Sequence, residues 1–131
     1  MKDFRNLQVW RKAHDLTLSL YHATRRFQRE EMYGLTSQIR RCSASIGANI
    51  AEGCGKRGNS EFQRYLQIAS GSASELDYHL LLASDLSFLT KPEYEQLTCR
   101  LGELRRMLTA LLRKVEGDRV AQAGQMPTAK C

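Results

Sequence analysis

Proline is almost missing from this chain: Pro92 and Pro127 are its two, so little along it forbids a long unbroken helix. Aromatic residues make up 8%, with one tryptophan, Trp10, which leaves few rings outside core positions for stacking on nucleic-acid bases. Cys42, Cys54, Cys99 and Cys131 show no C-x-x-C spacing, and no histidine stands near enough in sequence to complete a familiar zinc module. They read as free thiols of a reducing compartment. No apolar run reaches the roughly 18 residues that a membrane-crossing helix needs. The opening MKDFRNLQVWRKAHD is charged throughout and lacks the apolar centre of a secretion signal. A cytoplasmic protein with no membrane partner is therefore expected.

Catalytic sets are missing too. A carboxylate di-metal site in a helical bundle uses Glu-x-x-His on each of two helices, and Glu75 is followed at that offset by Tyr78, so Glu52, Glu75 and His79 make no such set. No serine or cysteine is identifiably paired with His14, His22 or His79. The chain is accordingly read as non-enzymatic, with no cofactor and no metal. Gly53-x-Gly55-x-x-Gly58 matches the GxGxxG string, but it follows a helical pattern where the dinucleotide fingerprint needs a strand and a βαβ unit. That reading is rejected.

What is present is helical periodicity and positive charge. The 131 residues suit one domain, large enough to bury roughly two thirds of the surface its unfolded chain exposes. Formal net charge is +6 and the sequence pI about 9.4, which favours an anionic partner such as RNA or DNA. Val9, Ala13, Leu16, Leu20, Ala23 and Phe27 recur in steps of four and three, predicting a first helix over 7–28 that Asn6 can cap. Leu35, Ile39, Cys42, Ile46 and Asn49 continue the same register in a second helix; buried Asn49 would need hydrogen-bond partners, in a helix register contact or on a loop backbone. Arg40 and Arg41 project away from that seam.

A third helix is expected to open at Ser60 with a Ser60-x-x-Gln63 box and to run to about Ser87 on Phe62, Leu66, Ala69, Ala73, Leu76, Leu80 and Ala83. Ile68, Leu82 and Leu86 lie on an arc beside that stripe, more apolar face than one core needs, and point to a subunit interface. The fourth helix starts at a Thr90-x-x-Glu93 box, follows Tyr94, Leu97, Leu101, Leu104, Leu108, Leu111 and Val115, and is expected to end at Gly117. Arg105 and Arg106 stand on its positive outer face. With no strand signals, the domain at 1–117 is read as an all-α, antiparallel up-and-down four-helix bundle and 118–131 as a mobile tail.

The organising stretch is Ser43 to Gly58, SASIGANIAEGCGKRG. Its first half is small and, with Ala69-Ser70-Gly71-Ser72-Ala73-Ser74 on the third helix, allows two backbones to approach closely. Its second half places Lys56 and Arg57 in a glycine-rich turn ahead of a helix N-terminus. Backbone donors, two cations and the positive helix end suit a phosphate there; the alternative is a flexible turn carrying two solvated cations. Glu52 is expected to balance Arg41, Lys56 or Arg57, or to accept backbone hydrogen bonds.

These residues resemble a known family, the four-helix-bundle proteins encoded within intervening sequences of bacterial 23S ribosomal RNA genes. The likeness lies in Phe4-x-x-Leu7-x-Val9-Trp10, Gln38-x-x-Arg41, Ser45-Ile46-x-Ala48-Asn49-Ile50-Ala51-Glu52-Gly53, Glu61-Phe62, Ala69-x-Gly71-Ser72 and Glu75-Leu76. It covers Phe4 to about Val115, with Gly47 where the family commonly has proline. The resemblance implies a ring-shaped homo-oligomer, usually a pentamer, with a positive surface for RNA or DNA. A more distant similarity to the accessory bundle protein of diversity-generating retroelements implies instead a scaffold whose partner is another protein, such as a reverse transcriptase. Lys56 and Arg57, then Arg40 and Arg41, then Arg105 and Arg106 are the candidate phosphate contacts; Asn49, Glu52, Gly53, Gly71, Ser72 and Glu75 are the candidate structural residues.

Overall fold

The computed structural model describes residues 3–124. They form four helices, α1 (Gln8–Thr24), α2 (Leu35–Cys54), α3 (Asn59–Asp85) and α4 (Lys91–Gly124), with single 3-10 turns at Phe4–Asn6 and Arg29–Glu31. Each helix packs on its chain neighbours and α4 closes on α1, while the diagonal pairs stay apart among the described residues. That is an up-and-down bundle. The apolar stripes meet at its axis, where Leu16, Ile39, Ile50, Leu66, Leu80 and Leu108 are all but sealed from solvent, as the steps of three and four require. No helix among the described residues is long and apolar enough to cross a membrane.

The helix ends depart from expectation in informative ways. α1 stops at Thr24, and its final carbonyls are met there: Thr24 Oγ1 donates back to Leu20 O at 2.8 Å within the helix, and Arg40 of α2 donates from outside to Tyr21 O at 3.2 Å. Asn6 does not cap α1. It lies in the preceding 3-10 turn, which Asp3 caps by accepting from Arg5 N at 3.0 Å. At α2 the cap comes from upstream, with Leu35 N donating to Glu31 Oε1 at 3.0 Å. The Ser60-x-x-Gln63 box does not form either, since Gly58 turns the chain at φ 81° and α3 begins one residue earlier, with no side-chain cap.

At α4 the expected box is present: Thr90 N donates to Glu93 Oε1 at 2.9 Å and Glu93 N to Thr90 Oγ1 at 3.3 Å. Arg26 pairs with the same carboxylate. These donors, Thr90 N foremost, hold the Glu93 carboxyl below its ordinary pKa. The predicted stop at Gly117 is wrong. α4 runs on to Gly124 because a glycine permits a helix to end without requiring it, and Asp118-Arg119-Val120-Ala121 are ordinary helix residues. Arg119 reaches back to Gln63 on α3. The expected tail thus loses 118–124 to the helix, and its remainder, 125–131, lies outside the described residues.

The close α2–α3 approach is real at Gly53 and absent at Gly71. A Cβ on Gly53 would stand 2.9 Å from Tyr65 Cβ and 3.0 Å from Phe62 Cδ1, so hydrogen is the side chain that fits. A Cβ on Gly71 would meet nothing within 4 Å; this glycine faces outward and does not serve the α2–α3 contact. Gly47 faces α1, where a Cβ would stand 3.5 Å from Trp10 Nε1, and α2 continues through it.

Candidate nucleic-acid interface

The α2–α3 junction leaves its two cations outside. α2 closes with Gly55 N donating to Ala51 O and Glu52 O, Lys56 N donates to Gly53 O, and the next helix starts at Asn59. Lys56 and Arg57 are both exposed in the turn between. Lys56 Nζ stands 5.6 Å from the centre of the Tyr65 ring, and Arg64 covers the same ring at 4.6 Å while donating to Glu61 at 3.4 Å. Tyr65 therefore orients one cation of the turn by its π face. No side chain caps α3, so the helix start beside these cations keeps amide donors without a side-chain acceptor, an arrangement suited to a phosphate. Glu61 in the first helical turn opposes it in part.

The remaining candidate cations divide into two kinds. Arg40 is committed: its Nε donates to Thr24 Oγ1 at 2.9 Å, its Nη2 to Tyr21 O, and its guanidinium lies over the Tyr21 ring at 4.8 Å. Rather than projecting to a partner, it ties α2 to the end of α1. Arg105 is likewise held, donating to Asp77 Oδ2 and to Ser74 Oγ, each at 3.1 Å, as a brace between α4 and α3. Arg41 and Arg106 are exposed. Arg41 lies more than three turns up α2 from the junction, roughly 20 Å along the helix, so these cations do not form one continuous patch on a single chain.

The candidate structural residues find clear roles, except Glu52 and the outward-facing Gly71. Asn49 Nδ2 donates to Ser45 O at 2.8 Å and Ser45 Oγ at 3.0 Å, and Ser45 Oγ shares a 2.9 Å hydrogen bond with Ser72 Oγ. The asparagine thus meets its own helix, not a loop, and the link to α3 passes through the serine pair. Glu52 is exposed and forms no ion pair with Arg41, Lys56 or Arg57 among the described residues; its backbone carbonyl accepts from Gly55 N. Glu75 meets His79 Nε2 at 3.1 Å. Beside it the Cys42 thiol is pushed up to about 12, first by burial and then by the Glu75 carboxylate.

The sequence matches the model of the 23S rRNA-intervening sequence protein family over residues 5–110. The chain belongs to that family. Among solved structures it is similar to a protein with unknown function from the S23 ribosomal protein family of Bacteroides thetaiotaomicron, at 25% identity and a TM-score of 0.75, covering 80% of this chain and 95% of the other. No curated protein matches it. In this member of the intervening-sequence family, the run from Ser45 to Gly53 supplies two core isoleucines, Ile46 and Ile50, the Asn49–Ser45 bonds, and the glycine on which Tyr65 and Phe62 rest.

Two features escaped the sequence reading. Tyr65 could have been noticed as an aromatic residue off the apolar stripe in the first two turns of α3, at the same helical angle as Ser72. The Arg40–Thr24–Tyr21 tie had no signal, because a long arginine reaches whichever neighbouring carbonyl the helix crossing presents.

Proposed function

We propose that this protein is a non-enzymatic homo-oligomer that binds nucleic acid, structured RNA or ribonucleoprotein foremost, by phosphate contacts from exposed cations. The observation that carries the reading is the exposed Lys56–Arg57 turn beside the uncapped start of α3. A formal charge of +6 and the family's association with ribosomal RNA genes support it. Arg57 and Lys56 are the leading contacts, followed by Arg41 and Arg106; Arg40 and Arg105 are withdrawn because they brace helices. Assembly of several chains brings copies of the turn together, which makes up for the sparse distribution on one chain.

Self-association is supported by the outer face of α3. Ile68 is 41% and Leu86 50% exposed, with Tyr78 at 59%; Leu82, on the same arc, is half-buried against the core. Gly71 on this face is unexplained by packing within the chain, and a glycine inside a helix costs about 0.5–1 kcal/mol relative to alanine. Approach of a second copy accounts for it. The test is a mobility-shift titration on a structured RNA, paired with light scattering. The proposal expects an oligomer that shifts the RNA, weakened uniformly across RNA sequences by Lys56→Ala/Arg57→Ala. Equal retention of RNA by that variant overturns the site, and a monomer overturns the assembly.

A further inference from the structure

Cys42 of α2 and Glu75 and His79 of α3 come together at the outer edge of the α2–α3 seam, each offering a ligand atom, and these three atoms all lie within 4.8 Å of one another. The fold sets this up in two steps. Glu75 and His79 are one helical turn apart and share a face. The Ser45–Ser72 hydrogen bond, about one turn away along both helices, holds the register that puts Cys42 opposite them.

The surroundings leave ligand capacity unused. Cys42 is 5% exposed, and its thiol makes one long bond, 3.8 Å to Ile39 O within its own helix. His79 Nε2 meets Glu75 Oε2 at 3.1 Å, while Nδ1 is buried with no hydrogen-bond partner. With the ring proton on Nδ1, Nε2 turns its lone pair toward the Glu75 carboxylate, and two facing acceptors share a cation rather than a hydrogen bond. A thiol, an imidazole lone pair and a carboxylate converging from two helices are satisfied together by one kind of guest, a cation with mixed sulfur, nitrogen and oxygen preference.

We propose that Cys42, His79 and Glu75 bind a single divalent ion of the zinc class, which clips α2 to α3. Around a tetrahedral zinc ion, bonds of about 2.0–2.3 Å set ligand atoms roughly 3.5 Å apart, so side-chain rotation closes the remaining gap. The fourth position opens on a cleft of about 210 Å³ lined by Gln38, Arg41, Ser45 and Ser72 besides Cys42 and Glu75, large enough for water. Arg41 is the one cation lining that cleft, and its exposure lets solvent screen it from the ion. On binding, the Cys42 S–H bond breaks, the sulfur keeps the electron pair and donates it to the ion, and the proton leaves to solvent. No redox change is involved. The site differs from a di-metal carboxylate centre in needing one ion and one thiolate.

The test uses the untagged full chain, stripped with a chelator and titrated with Co²⁺ and then Zn²⁺. The expected result is a thiolate-to-cobalt charge-transfer band with tetrahedral d–d bands, saturating at one ion per chain, bleached by Zn²⁺, and a raised melting temperature in Zn²⁺. Cys42→Ser abolishes the charge-transfer band and weakens Zn²⁺ binding by more than about 100-fold, since loss of an outer-shell partner alone costs 10–100-fold. Cys54→Ser, Cys99→Ser and Cys131→Ser leave both unchanged. Absence of the band in the wild-type chain overturns the proposal without any variant. Its retention in Cys42→Ser, or its loss in Cys99→Ser, places the ion elsewhere and overturns it equally.

Discussion

Replacing Gly53 with alanine puts the bundle's tightest contact to the test. The added methyl would meet Tyr65 Cβ at 2.9 Å and Phe62 Cδ1 at 3.0 Å, and neither can step aside cheaply: one is fixed to the α3 backbone, the other belongs to a ring that is buried. Forcing a methylene into a filled core costs about 1–3 kcal/mol, against a gain of about 0.5–1 kcal/mol from placing alanine for glycine in a helix. The net expectation is a loss of about 1–2 kcal/mol, read as a melting-temperature drop of roughly 3–6 °C. Gly102→Ala is the internal control, because its Cβ would lie 3.5 Å from the flexible Arg106 Nη1 and the helix gain should stand unopposed. Urea denaturation of both variants gives the comparison. A Gly53→Ala protein as stable as Gly102→Ala would refute the close α2–α3 packing.

Further outcomes follow from the same contacts. Arg40→Ala leaves buried Thr24 and the last turn of α1 short of a donor, so stability falls by about 1–3 kcal/mol while RNA affinity is unchanged; a stable variant with weakened binding contradicts the assignment of Arg40 to bracing. Thr90→Ala removes the α4 cap and costs about 1 kcal/mol by denaturation. Because the folded-state pKa of Glu93 is depressed, its contribution is present above the unfolded carboxyl pKa and is lost as pH falls through the folded value. Acid-unfolding curves of wild type and Glu93→Gln should therefore differ near neutrality and converge at low pH. With chelator present, a thiol reagent at neutral pH should modify exposed Cys99 in the native protein and Cys42 only on unfolding, since burial holds the Cys42 thiol protonated; mass mapping of the modified peptides checks this.

The apolar stripes were legible because helical period alone decides which side chains face an axis, and Leu16, Ile39, Leu66 and Leu108 are buried as that period demands. Helix ends were less so. The Thr90–Glu93 box formed, yet Ser60 lost its predicted role to the left-handed turn at Gly58, and Gly117 passed unnoticed through α4. Two glycines of similar sequence setting, Gly53 and Gly71, proved opposite, since the helix crossing and not local composition determines which one faces a neighbour. The same holds for arginines: periodicity places Arg40 and Arg105 off the core but is silent on the carbonyl and carboxylate each can reach. The meeting of Cys42 with Glu75 and His79 lies beyond any local motif, because it depends on the register between two helices.

The proposed role rests on phosphate contact at the α2–α3 turn, and the salt dependence of RNA binding tests this most directly. Each phosphate contact contributes about 0.7–0.9 to the slope of log K against log salt. Removing Lys56 and Arg57 together should flatten that slope by roughly 1.4–1.8 for every copy of the turn engaged, with helical content unchanged. Parallel lines for wild type and the double variant would contradict the account.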